Sequence, residues 1–230
     1  MPRKKAATAS KPNEGGSTRE RVARAALQLF AEKGFHGTGI RDLAQAAGLT
    51  TSTLYHYMEN KDDLLVEIMI GTIAPLNEAA VRIEEAQPDP AARLCMLVEQ
   101  HVWAHASDRL ATLVTDTELR ALSGDRRARV LAIRDDYEEH WRKAVGDGAA
   151  SGRFDVAIPD LTARALLQMA TGVSHWFSPS GQLQLEALCD EYADAALALV
   201  RARGGGGRPL RRADLALPPA TFYLDAPPSN

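Results

Sequence analysis

The chain has 230 residues, 45% hydrophobic and 25% charged, an ordinary globular composition with room for one large domain or two smaller ones. Two cysteines, Cys95 and Cys189, sit inside apolar helical patterns, which excludes a disulfide framework and reads as two reduced core residues. The net charge of -3 conceals a basic head, since residues 1–61 hold 10 Lys/Arg against 5 Asp/Glu and the remainder 17 against 25. That distribution suits a module that touches a polyanion while the body stays off it. No apolar run free of charge reaches about 18 residues, so no membrane span is predicted. The basic start MPRKKAATAS lacks the apolar run of a signal peptide, and the cytoplasm is the expected compartment.

In chain order, residues 1–16 read as a disordered basic arm. Ser17 and Glu20 stand at capping-box spacing and open a helix carrying Val22, Ala26, Leu29 and Phe30, which Gly34 is expected to end. Thr38 is read as the cap of a second helix with Ile40, Leu43 and Ala47, stopped at Gly48. Thr50 or Thr51 caps a third, through about Tyr57. Asn60 caps a fourth and long one, starting at Lys61 and carrying Leu64, Leu65, Ile68 and Met69. Residues 91–106, 109–122, 126–150, 159–177 and 184–203 each read as amphipathic helices between Gly and Pro breakers. The fold class is therefore all-α: a three-helix helix-turn-helix domain over 17–65, then a larger helical ligand-binding and dimerisation domain over 66–203. Residues 204–230, with four glycines, three arginines and a Pro-rich end, read as a flexible tail.

The segment Thr38 to Lys61 carries the functional signal. Gly48 permits a tight turn between two short helices, small Ala44 and Ala47 let them approach, and Ile40, Leu43, Leu49 and Leu54 face inward. Thr50, Thr51, Ser52, Thr53, Tyr55 and His56 remain outward, a hydroxyl-rich face able to bond phosphates and base edges. Lys61, at the start of the fourth helix, reads as a phosphate clamp or as a solvated lysine. Tyr57 can pack inward with its hydroxyl reaching a phosphate. Arg41 faces outward, either to the DNA or to solvent.

Residues Arg19 to Leu65 resemble the DNA-binding domain of the TetR family of bacterial regulators. The matching positions are Ala25, Ala26, Leu29, Phe30, Ala31, Gly34, Phe35, Thr38, Ile40, Leu43, Ala44, Ala47, Gly48, Leu49, Leu54, Tyr55, Tyr57, Asn60, Lys61 and Leu64. The aromatic that the family usually has at position 58 corresponds to Met58 or to neighbouring Tyr57 in this chain. The resemblance implies DNA contacts from Thr38, Thr50, Thr51, Ser52, Thr53, Tyr55, His56 and Lys61. It also implies a body that binds an effector and dimerises.

In that body, Leu185, Leu188, Tyr192, Ala195 and Leu199 form one stripe, and Leu161, Ala165, Met169, Val173 and Trp176 another. Helices apolar on two faces need two partners, so a homodimer held by the last two helices is expected. Candidate ligand-binding residues are His101, Trp103, His105, Tyr137, Trp141, Met169, His175, Trp176 and Phe177; Trp103 and Trp141 also suit core packing. His101 and His105 have a spacing that can hold a metal, but no Cys or Glu ligand flanks them, and no metal is assigned. Either histidine could instead bond a polar ligand head. Residues 115–177 further resemble acyl-CoA-responsive members of the same family through Glu118-Leu119-Arg120, Asp136-Tyr137, Trp141, Gly152, Phe154 and the run His175-Trp176-Phe177-Ser178-Pro179 with Gly181.

The expected partners are thus a double-stranded DNA operator, a second copy of the chain and a small apolar effector, an acyl-CoA among the candidates. The competing readings are an architectural DNA-binding protein without a ligand and a repressor that senses hydrophobic drugs for an efflux pump. An enzyme is disfavoured: the sequence has no Gly-rich phosphate loop, no metal quartet and no nucleophile in a strand-turn-helix setting, and it calls for no cofactor.

Overall fold

The computed structural model describes residues 17–222 and 224, and the basic arm expected over 1–16 lies outside them. Among the described residues the chain is all-α, with one isolated β-bridge between Arg203 and Pro209. Helix α1 (Thr18–Gly37) starts at the capping box, where Glu20 N donates to Ser17 Oγ at 3.2 Å and Ser17 N donates to Glu20 Oε2 at 2.9 Å. The regular helix breaks at Gly34 as expected, at φ 73 and ψ 163, and one further turn follows across the kink to Gly37. Helix α2 (Ile40–Ala46) is capped at Gly39 rather than Thr38, because Asp42 reaches back to the Gly39 N–H at 3.1 Å. Helix α3 (Thr51–Leu54) is a single turn with Thr50 as its cap, and the expected extension to Tyr57 runs on as turns.

Helix α4 (Lys61–Ala86) begins where expected, with Asn60 accepting from Asp63 N at 2.9 Å. It contains an apolar window long enough to cross a membrane, with mean hydropathy 1.5, and half of that window is buried inside the protein. Leu64, Leu65, Ile68, Met69, Ile73, Leu76 and Ile83 face the core, while Glu67, Glu78 and Glu85 face out. The helix is therefore a beam running from head to body.

The body is built around α5 (Pro90–Ser107), which is buried along most of its length and contacts α4, α7, α8 and α10. Around it lie α6 (Arg109–Thr117) with a 3-10 turn at Glu118–Ala121, and α7 (Gly124–Ala150). The helix expected over 159–177 divides at Gly172 into α8 (Pro159–Thr171) and the single turn α9 (Val173–Trp176). The last, α10 (Leu185–Leu199), ends short of 203, and Arg201 at φ 49 turns the chain back.

The tail is a correction. Its described part docks on the body: Leu210 is buried, and Leu210 N donates to Ala202 O at 2.9 Å. Arg212 Nε donates to Glu99 Oε1 of α5 at 2.7 Å and lies 3.2 Å from Asp190 of α10, while its backbone N–H donates to Asp194 Oδ1 at 2.6 Å. Glu99 explains the docking. It is 1% exposed at the α5–α10 seam, where a carboxylate without a cation is costly. Burial pushes the Glu99 carboxyl above its ordinary value, against the opposing pull of Arg212. Arg212→Ala is expected to cost about 3 kcal/mol in urea unfolding, because it strands a buried charge. Adding Glu99→Gln should recover part of that loss; an unchanged unfolding midpoint in the single variant would mean that the tail only rests on the surface.

Candidate functional site

The head presents the short α3 as its outward element. Arg21 of α1 reaches the turn before it, donating from Nη2 to Ala47 O at 2.6 Å, while Gly48 takes φ +67. A side chain there would be strained by that φ and would meet Arg21 Nη2 at 3.3 Å. Leu43 and Leu54 are fully buried, and Met58 is buried with them. Outside, Thr50 Oγ1 accepts from Thr53 N at 3.1 Å and lies 2.9 Å from Ser52 Oγ and 2.8 Å from Thr53 Oγ1. The hydroxyls thus form one pre-set cluster. Arg41, Ser52, Tyr55 and His56 are exposed, Thr51 and Thr53 half-buried, and Tyr57 half-buried against the core.

Two residues expected on this face are turned elsewhere. Thr38 is 2% exposed and its hydroxyl donates to Gly34 O at 2.9 Å and Leu29 O at 3.2 Å, so its side chain closes the kink of α1 instead of reaching DNA. Lys61 is half-buried and donates from Nζ to Phe35 O at 2.7 Å and Thr38 O at 2.8 Å, with the ammonium 4.2 Å over the Phe35 ring. Two of its three ammonium hydrogens are thus taken by carbonyls at the C-terminal end of α1, where Phe35 O also accepts from Thr38 N.

The other side of that corner is held from the body. Glu118, 9% exposed and next to the end of α6, accepts from Phe35 N at 3.3 Å across 83 positions of sequence. Residues of α6 just before it line a cavity of about 510 Å³ among α4, α5, α6, α7 and α8. His101, His105, Tyr137 and His175 of the expected ligand residues line it. Trp103 does not; it lies beside a smaller cleft near the tail. Trp141 and Phe177 are core, Met169 is half-buried outside the cavity, and Trp176 is 54% exposed at the surface. Of the Trp, Tyr and Phe candidates only Tyr137 lines the cavity, and its wall is more polar than the sequence led us to expect.

Its inner wall is a bonded set. The His101 and His105 rings stack with centroids 3.8 Å apart. His101 Nδ1 lies 3.2 Å from the Tyr137 hydroxyl and Nε2 3.1 Å from the Thr171 hydroxyl, while His105 Nδ1 lies 2.9 Å from His101 O. Burial holds His101 well below its usual range and His105 down at about 4, so both are neutral near pH 7. Asp116 Oδ1 accepts from Arg134 Nη2 at 2.9 Å, yet burial pushes the carboxyl up to about 6. Sequence reading missed Thr72, Thr115, Asp116 and Arg134, which come from three helices distant in the chain and share no local pattern. Among the described residues no group of three or more His, Cys, Asp or Glu could hold a metal ion.

The comparisons with known proteins agree on this architecture. The profile described as "Bacterial regulatory proteins, tetR family" matches residues 23–68, and "Tetracyclin repressor-like, C-terminal domain" matches 87–200. The TetR family regulator PfmR of Thermus thermophilus is 31% identical with a TM-score of 0.71, over 77% of this chain and 97% of that one. The chain belongs to the TetR family. It is a DNA-binding transcriptional regulator and not an enzyme. The repressor KstR2 of Rhodococcus jostii is 27% identical over 175 residues, 75% of this regulator and 85% of KstR2. AibR, crystallised with isovaleryl coenzyme A and operator DNA, shares the fold at a TM-score of 0.71 and 23% identity, over 78% of this regulator and 97% of AibR.

The regulator's buried histidines give it a pH dependence with a defined sign. In the unfolded chain they protonate near 6.5, in the folded one only at lower pH, so stability falls as pH drops from about 6.5 toward 4. Asp116, between about 6 and its unfolded value of 3.8, and Glu99, also raised by burial, act the other way, whereas Asp63, Glu84 and Asp214, held low by their arginine and lysine partners, act with the histidines. Urea unfolding is expected to show lower stability near pH 5 than near pH 7.5, with the gap narrowed by His105→Gln. An equal gap in that variant would mean that His105 is solvated.

Proposed function

We propose that the chain is a one-component repressor in the cytoplasm: a homodimer that holds a palindromic operator through its two α3 segments and lets go when a small molecule with an apolar body enters the helical cavity. The observation that carries this reading is the short path from cavity wall to head. Thr112, Thr115 and Asp116 line the cavity on α6, and Glu118, two residues further on, grips the Phe35 corner. A ligand that displaces α6 changes the seat of the head, and it needs to favour the displaced state by only about 1.4 kcal/mol to weaken operator binding tenfold. The cavity also disfavours an architectural protein with a filled body.

An acyl-CoA is our first candidate effector, supported by the coenzyme A thioester named with AibR, with the acyl group in the cavity and the polyanionic end outside it. On the DNA side, Thr51 and Thr53 are assigned to base edges, and Arg41, Thr50, Ser52, Tyr55, His56 and Tyr57 to backbone or neighbouring bases. Titrating acyl-CoAs of several chain lengths against the protein–operator complex tests the reading. At least a tenfold loss of operator affinity is expected from one of them, and Glu118→Gln should blunt the loss while the ligand still binds. If hydrophobic drugs release the DNA and no acyl-CoA does, the effector assignment falls; if nothing does, the ligand-gated reading falls.

The dimer surface is assigned to the outer faces of α8–α10, where Ile158, Leu161, Trp176 and Leu199 are 57%, 61%, 54% and 42% exposed. Leu188, expected at the interface from its stripe, is instead 2% exposed and packs against the chain's own core. Leu161→Asp with Leu199→Asp is expected to give a folded monomer by light scattering, whereas Leu188→Asp should unfold the body. A dimer that survives the double substitution would place the interface elsewhere.

A further inference from the structure

Helix α4 is not uniform along its length. Pro75 lies inside it and has no N–H, so the carbonyl of Gly71, four residues back, loses its helix donor. Glycine is a poor helix former, and packing does not demand it at 71, where a side chain would meet nothing within 4 Å. Between the two, the Thr72 hydroxyl donates to Ile68 O at 2.9 Å, a back-bond that tends to bend a helix. Gly71 and Pro75 are exposed, while Thr72, Ile73 and Leu76 beside them line the cavity. The weak turn also divides the bonds of α4. Before it, Lys61 donates to Phe35 O and Thr38 O, and Glu67 pairs with Arg19 at 2.8 Å, so this half is bonded to the head. After it, Leu76 O accepts from Gln100 Nε2 at 3.2 Å, and Glu84 lies 3.0 Å from His140 Nδ1 and pairs with Lys143, so that half is bonded to the body. Asp63 of the head half reaches Arg126 of α7, but these side chains are 25% and 43% exposed, and a solvated ion pair holds weakly.

Building on the ligand-gated reading above, we infer that the turn 71–75 is a hinge about which the effector moves the head. A ligand that presses on Ile73 and Leu76 bends α4 there; the half that carries the head swings, and the half bonded to α5 and α7 stays. Sharp bends in helices arise at prolines and small residues because the ladder of hydrogen bonds is already interrupted there. The hinge works together with the Glu118 contact: Glu118 seats the head while α6 is in place, and the weak turn gives the head its direction of motion once that contact loosens.

Gly71→Ala with Pro75→Ala restores the helix ladder without touching the DNA face or the cavity lining. Hydrogen–deuterium exchange on the full-length protein without ligand is expected to show the amides of 72–74 and 76 exchanging about tenfold faster than those of the turns on either side, and the double variant should erase the difference. Fluorescence anisotropy with operator DNA then reads the coupling to hexanoyl-, decanoyl- and palmitoyl-CoA. With at least one of them the wild type should lose about tenfold in operator affinity and the double variant only about twofold, while ligand affinity by calorimetry and operator affinity without ligand stay unchanged. Gly146→Ala, which has equal room on α7, should leave release as in the wild type. Full release by the double variant, uniform exchange along α4, or equal blunting by Gly146→Ala overturns the hinge while leaving ligand gating intact. If neither the acyl-CoAs nor hydrophobic drugs weaken operator binding by the wild type, the ligand-gated reading fails, and the hinge as its joint fails with it.

Discussion

The Phe35 corner is the joint on which the rest depends. The kink at Gly34 and the end of α1 at Gly37 leave backbone N–H and C=O groups around the buried Phe35 for other elements to bond. Three are taken by charged side chains from other elements: Lys61 donates to two carbonyls and Glu118 accepts one N–H. The pairs differ in origin, since Lys61 opens the helix that continues into the body, whereas Glu118 follows the helix that walls the cavity. The head is consequently seated by both. Asp63, also at the start of α4, pairs with Arg126 of α7 at 2.6 Å and ties the same end of the beam to the body.

That arrangement separates the two kinds of core in the body. Where Leu94 and Leu97 of α5 meet Leu166 and Leu197 the packing is apolar and closed, and such a core resists small displacements. The cavity beside it has an incompletely bonded polar wall. Its histidines are held neutral by burial, and its Asp116–Arg134 pair leaves one carboxylate oxygen open. A region with open polar groups gains more from a ligand than a packed one does, and here it adjoins the helix nearest the head.

The tail belongs to the same logic of buried charge. Glu99 sits on the central helix where no neighbour from α4 or α7 pairs it, and Arg212 arrives from 113 positions away to do so. The four glycines before it do not make the segment free; they let the chain reverse tightly enough to return to the α5–α10 seam, with Gly206 and Gly207 both at positive φ.

The sequence by itself determined the helical class, the breakers, the caps at Ser17 and Asn60, the choice of Thr50 or Thr51 for a third, and the hydroxyl-rich turn after Gly48. Those features are local: periodicity, capping spacing and glycine conformation act within a few residues, and any chain with that pattern meets the same physics. The tertiary structure decided which outward-looking residues stay outward. Thr38 and Lys61 look like surface groups in sequence, yet Thr38 turns onto carbonyls beside the Gly34 kink and Lys61 onto carbonyls at the end of α1. Leu188 lies on an apolar stripe, but which side of α10 meets α5 is set by packing between helices some 90 residues apart in sequence. The same holds for the cavity wall and the docked tail. Asp116 with Arg134, and Glu99 with Arg212, are pairs formed by distance in space, and a buried charge finds its partner only once the chain has closed around it.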